Sequence, residues 1–221
     1  MFVWKKIPAP GFIHPTLPRW HDVANGFRIA FLSLKNRDVF RWLTLLQFSD
    51  LMLDVFLGFL ALYFHDVVGL EKAQAASAVL IWLMAGLVGD FLLIPLLEKV
   101  DGIRYLRVSV ILELILFPAF LLIPSAIWKL IVAGLLGLFN SGWYAILQGR
   151  LYTSMGSHSA SVMTLSNLAG LLGGLLPLAI GLLADNFGLN AAMWVLLAGP
   201  IALLLGIPWN KETQPRQADD S

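Results

Sequence analysis

Six stretches of 17 to 25 residues, each almost without charge, follow one another along this chain and limit what it can fold into more than any other feature. They run from about Phe40 to Phe64, Ala73 to Leu97, Ile103 to Ile123, Ala126 to Leu147, Ala160 to Ala184 and Ala191 to Ile207. A hydrocarbon layer about 30 Å thick is crossed by roughly 20 helical residues at 1.5 Å each, so every stretch is about one membrane span long. Inside lipid the backbone must satisfy its own hydrogen bonds, which leaves helices or a closed barrel. No ten-residue alternation of apolar and polar residues marks a barrel. The expected fold is all-α: a polytopic membrane protein with six transmembrane helices in one bundle. Short connections, such as His65 to Lys72 and Asp185 to Asn190, make consecutive spans antiparallel neighbours.

Composition agrees and removes other classes. Hydrophobic residues make up 58% of the chain and charged ones only 13%, far from a soluble domain. A formal net charge of +1 offers no basic excess for nucleic acid. Without cysteine there is neither disulfide, thiolate metal site nor cysteine nucleophile, and His14, His21, His65 and His158 lack ligand spacing. No cofactor or metal is expected. Thirteen of the fifteen Lys and Arg fall before the first span, in the second-to-third and fourth-to-fifth loops, or in the tail, leaving Lys72 and Lys129 on the other side. Basic residues accumulate on the cytoplasmic side, which puts both termini there and the chain in the plasma (inner) membrane. Residues 1–39 read as a cytoplasmic juxtamembrane segment, with Phe27, Ala30, Phe31 and Leu34 spaced for an interfacial helix. Residues 40–208 form the membrane domain, and 209–221 a polar tail expected to be disordered.

Polar residues within the spans are the candidate functional groups, because a carboxylate at a helix centre costs about 2.5–3.5 kcal/mol on insertion scales. Asp50 and Asp54 stand four residues apart in the first span with Gln47 a turn below, one polar stripe on one helix face. Two carboxylates so close disfavour double ionisation, which suits proton or cation coupling or, alternatively, a hydrogen-bonded lock between helices. Asn140, Tyr144 and Gln148 repeat at four-residue spacing in the fourth span, with Ser141 beside them, as a solute-lining face or a set of interhelical bonds. Asp90 and Glu113 could share a proton in a relay, or Asp90 could pair with Lys99 or Arg104. In the fifth span Ala169, Gly173, Pro177 and Gly181, with Gly170 and Gly174, suit close packing or bending.

Enzyme chemistry lacks its parts. Asn140-Ser141-Gly142 approaches an intramembrane serine-protease motif, but the sixth span has no histidine base. Gly86-Leu87-Val88-Gly89-Asp90 misses the aspartyl-protease spacing by one residue, and Asp50, Asp54 and Asp101-Gly102 do not assemble a phosphatidyltransferase metal cluster. The chain is expected not to be an enzyme.

Three loop and helix-start segments carry a resemblance. Gly181-Leu182-Leu183-Ala184-Asp185-Asn186-Phe187-Gly188-Leu189-Asn190 is similar to the Gly-x-Leu-Ala-Asp-Arg-x-Gly-Arg-Arg signature of the major facilitator superfamily, with Asn186 and Asn190 at basic positions. Residues Leu96 to Arg107 resemble the same signature after the second helix of a six-helix half, and the run from Ser161 to Gly170 resembles the start of that family's eleventh helix. The likeness covers about residues 37 to 208 and is to the carboxy-terminal half of such a transporter. It implies two six-helix halves rocking about a central cavity. Gln47, Asp50, Asp54, Asn140, Ser141, Tyr144, Gln148 and Asn167 would line the substrate and ion pathway. Glu98, Lys99, Gly102 and Arg104 would form a gating charge latch, and the third helix, which carries Glu113, would be peripheral. The implied function is transport of a small solute by alternating access, with proton coupling through Asp50 and Asp54. The implied partners are the bilayer, the solute and a second six-helix half, either another copy or a separate chain. The other reading is a non-transporting membrane subunit, or the remnant of a split transporter gene.

Overall fold

The computed structural model describes residues 34–156 and 159–208. The interfacial helix and tail expected from the sequence therefore lie outside the described residues, apart from Leu34, Lys35 and Asn36, which form a turn and bend rather than helix. The described chain is helical, with no strand, and six of its helical stretches are long and apolar enough to cross a membrane.

Span 1 is α1 (Arg37–Asp50), a π-helical turn (Leu51–Val55) and α2 (Phe56–Asp66). Span 2 is the single helix α3 (Lys72–Leu97) and span 3 is α4 (Gly102–Leu122). Span 4 divides into α5 (Ala126–Asn140) and α6 (Trp143–Met155). Span 5 comprises α7 (Ser159–Gly173) and α8 (Leu175–Phe187), and span 6 comprises α9 (Leu189–Val195) and α10 (Ala198–Gly206). Helix starts follow local capping chemistry: the side chains of Asn36, Asp101 and Ser125 accept backbone N–H groups of the first turns of α1, α4 and α5. Spans 1 and 4 are longer than their apolar cores suggest, each a stretch of 30 residues, because polar ends such as Gln148 to Met155 continue the helix.

Spans 1 and 4 form the centre. In their apolar stretches 44% and 50% of residues are buried, against 17% in span 2 and 6% in span 5, which turn most of their surface outward. α2 packs on α3, α6 on α1, and α10 against both α1 and α4. At one end an aromatic cluster joins spans 1 and 3, with Phe56 edge-on to Phe117 at 5.4 Å and to Phe120 at 5.7 Å.

Elsewhere glycine sets the distance between helices. Because lipid is as apolar as leucine, association in a membrane relies on close packing, which small residues permit. A Cβ on Gly137 of α5 would lie 2.3 Å from the Trp82 carbonyl oxygen of α3, and one on Gly89 would lie 2.6 Å from Ser141 Oγ. On the other side, a Cβ on Gly199 would meet the Phe48 carbonyl oxygen at 2.8 Å, holding span 6 on span 1. The small-residue row expected to serve this purpose in span 5 does so less. Of its glycines only Gly173 makes a tight approach to another span, against the Gln47 side chain, while Gly170 has nothing within 4 Å.

Candidate functional site

The most elaborate polar arrangement is built around the interruption of span 4. Ser141 is extended (φ −56°, ψ 141°) and Gly142 is left-handed (φ 72°), so the helix ends at Asn140 and restarts at Trp143. Only glycine adopts that backbone cheaply. The break exposes carbonyls that a continuous helix would use, and neighbouring spans supply their partners. Tyr105 on span 3 places its hydroxyl 3.1 Å from the Ser141 carbonyl oxygen, 3.3 Å from that of Phe139 and 3.2 Å from Ser141 Oγ. Ser141 Oγ donates to the Leu138 carbonyl at 2.8 Å. One turn further along span 3, Ser109 Oγ accepts the indole N–H of Trp143 at 2.8 Å.

Two buried side chains on spans 3 and 4 have no hydrogen-bond partner among the described residues. Glu113 is 0% exposed and both its carboxylate oxygens lack a hydrogen bond. Asn140 is 1% exposed and both its amide atoms are likewise unpartnered. Spans 3 and 4 thus bring Tyr105, Ser109 and Ser141 together at one helix break beside Asn140, with Asp90 and Glu113 within electrostatic reach of the Tyr105 hydroxyl.

This placement corrects the reading of Asn140, Tyr144 and Gln148 as one helix face. The break between the first two rotates the row apart. Asn140 turns into the interior, Tyr144 is 46% exposed and Gln148 is half-buried. Ser141 is buried too, held by the bonds above. The carboxylate of Glu113 likewise faces the interior of the bundle, although the resemblance makes its helix peripheral.

Asp50 immediately precedes the π-turn and Asp54 lies within it, where the ladder of backbone bonds widens, a feature frequent at functional sites. Asp50 lies within electrostatic reach of Asp54, with Asp50 half-buried and Asp54 exposed. Gln47, which was expected to join them on an open face, instead has its side-chain oxygen against Gly173 of α7 and without a hydrogen bond. Asn167 and Asp90 are exposed.

At the turn between spans 2 and 3 an ion pair forms between other residues than the Glu98, Lys99 and Arg104 expected there. Glu98, Lys99 and Arg104 are exposed and their side chains form no ion pair among the described residues. Asp101 caps α4 and receives Arg150 of α6 at 3.2 Å, tying the loop to span 4. Gly102 packs on Ile146 of the same helix. The signal for this pair was present, an acidic residue opening an apolar helix, but nothing local named Arg150 as its partner.

A second polar node went unrecognised as well. Lys129, 4% exposed at the start of α5, donates to the Tyr63 hydroxyl at 3.0 Å and to the carbonyls of Phe120 and Leu121. It also lies 5.2 Å from the Tyr63 ring centroid and 5.1 Å from that of Phe120. A cation at a helix C-terminus satisfies the last carbonyls and opposes the dipole. This lysine therefore fastens spans 1, 3 and 4 together at the end of the bundle remote from Asp101 and Arg150.

No cluster of His, Cys, Asp or Glu able to hold a metal occurs among the described residues. In comparisons with known protein families and with curated proteins, the chain matches none. What the fold itself defines is a class: six candidate transmembrane helices, the make-up of a multi-pass membrane protein.

Proposed function

We propose that this chain is one half of a membrane carrier that moves a small solute by alternating access, its passage completed by a second six-helix half, either another copy or a separate chain. The observation that carries the reading is the exposure of Asp54 and Asp90 within apolar spans, with Tyr144 and Asn167 also open. Acyl chains cannot solvate a carboxylate, and each one facing them costs about 2.5–3.5 kcal/mol. Such groups are retained where water or a polar partner meets them. The similarity of the loops to the major facilitator signature supports a carrier with both termini in the cytoplasm of a plasma membrane. Asp50 and Asp54, adjoining a π-turn in a central span, are the residues suited to coupling a proton.

The absence of cysteine makes the test direct. Single cysteines replacing Asp54, Asp90 and, as a lipid-facing reference, the 79% exposed Leu205 are treated with a charged thiol reagent in intact proteoliposomes. Labelling at 54 and 90 but not at 205 is expected. Failure of both carboxylate positions to label removes the wet passage and favours a non-transporting subunit. Asp54→Asn should then abolish any pH-dependent solute flux; unchanged flux would remove the coupling role.

A further inference from the structure

We infer that Glu113 and Asn140, with the carbonyl oxygens released where span 4 breaks, form a buried binding site for a small monovalent cation, occupied as Na⁺ or as a proton on the Glu113 carboxylate. The site does not depend on the chain being a carrier.

The register of spans 3 and 4 brings the two residues to the same depth. Lys129 of α5 reaches the Phe120 and Leu121 carbonyls of α4, and Trp143 of α6 bonds Ser109. These two anchors bracket the antiparallel pair. From the Trp143–Ser109 contact, one turn forward along span 3 arrives at Glu113, and Asn140 stands three residues back along span 4 on the other side of the break, both steps running the same way; within the unbroken α5, Asn140 is about three turns from Lys129 and so on the face that meets α4. Both side chains belong to the buried stripes of their helices, and neither bonds the other.

Charge and dipoles favour a cation. The C-terminal end of α5, which carries partial negative charge, closes at Asn140. The Tyr105 hydroxyl is already committed to the Phe139 and Ser141 carbonyls, and Ser109 Oγ to Trp143 and Leu106. Neither hydroxyl donates to Glu113. Arg107, on the same helix, sends its guanidinium to the Pro208 carbonyl, and Arg150 of α6 reaches Asp101. Lys129 is spent on Tyr63 and the end of α4. Of the other elements that touch α4, α9 and α10 carry no titratable group, and α2 meets it through the rings of Phe56, Tyr63 and Phe64 on Phe117 and Phe120, with the Tyr63 hydroxyl taken by Lys129. A bare carboxylate without a partner in such surroundings is strongly disfavoured, and an unpartnered amide beside it supplies an oxygen ligand. Interrupted membrane helices offer this combination of freed carbonyls and half-helix ends to small cations. The oxygen-only donor set suits Na⁺, and Asn140 Oδ1 can equally accept the hydrogen bond of a protonated Glu113.

Binding to the folded state alone stabilises it, so occupancy is read from thermal unfolding of the full chain in lipid nanodiscs. Melting is compared in NaCl and choline chloride of equal ionic strength, and in choline across mildly acidic to mildly alkaline buffers. A midpoint that rises with Na⁺ identifies the metal ion; one that rises only on acidification identifies the proton. Glu113→Gln should abolish whichever response occurs, while Asp90→Asn, which removes the neighbouring carboxylate, should leave it. Should Glu113→Gln fail to fold, Asn140→Leu decides. It should weaken the apparent cation affinity about tenfold, the loss of one contact worth about 1.4 kcal/mol. A midpoint indifferent to both cations, a response preserved in Glu113→Gln, an affinity unaltered in Asn140→Leu, or a response lost in Asp90→Asn would each overturn the site.

Discussion

Replacing Gly137 by alanine tests whether backbone contact between spans 2 and 4 holds this bundle together. The new Cβ would stand 2.3 Å from the Trp82 carbonyl oxygen, with the Trp82 carbonyl carbon and Cα at 3.1 and 3.2 Å, all backbone atoms that no rotamer change can move. Ordinary contact begins at 3.4 Å, so the helices must separate by about 1.1 Å at this point. A gap of 0.5–1 Å forfeits about a quarter to a half of each van der Waals well. The loss extends to Gly86 and Gly89, which pack along the same seam. Overpacking of this kind costs about 1–3 kcal/mol, and lipid offers no hydrophobic gain to offset it. Alanine also favours a helix over glycine by about 0.8–1.0 kcal/mol, which would hide part of the effect. Gly149→Ala isolates the steric component: it lies in α6 with nothing within 4 Å of its would-be Cβ and should be neutral or stabilising. In reversible unfolding from lipid bicelles, Gly137→Ala should fall below Gly149→Ala by about 1–3 kcal/mol. Equal stability of the two variants would refute close backbone approach as the force joining spans 2 and 4.

Two further substitutions probe the polar nodes. Tyr105→Phe keeps the ring but leaves the Phe139 and Ser141 carbonyls without their hydroxyl, and should lower unfolding free energy by about 0.5–1.5 kcal/mol; no change would show that the helix break does not need span 3. Lys129→Met deprives the Phe120 and Leu121 carbonyls of their donor. A double-mutant cycle with Tyr63→Phe should then give a coupling of about 0.5–3 kcal/mol, and strict additivity would remove the Lys129–Tyr63 contact from the account.

Much of the architecture is legible in one dimension because insertion into lipid is close to a local, additive property of about twenty consecutive residues. All six spans follow from hydropathy, and the turn residues Asp101 and Ser125 announce helix starts by chemistry confined to a few positions. The candidate site was legible only as an inventory. Glu113 and Asn140 stand out as polar residues in apolar surroundings, yet their spacing along the chain does not say that both are buried without a hydrogen-bond partner. Lys129 counted only towards the charge balance of the non-cytoplasmic side, because its partners Tyr63, Phe120 and Leu121 come from two other spans.

By itself, then, the order of residues determined an all-helical chain of six membrane-length segments and the list of polar groups that lipid cannot accommodate. Tertiary structure decided how span 4 breaks, with an extended Ser141 and a left-handed Gly142 whose released carbonyls meet the Tyr105 hydroxyl from a neighbouring helix. That break sends Asn140 inward and Tyr144 outward. Four-residue periodicity assumes an unbroken helix, and whether a helix stays unbroken depends on hydrogen-bond donors that distant parts of the sequence provide.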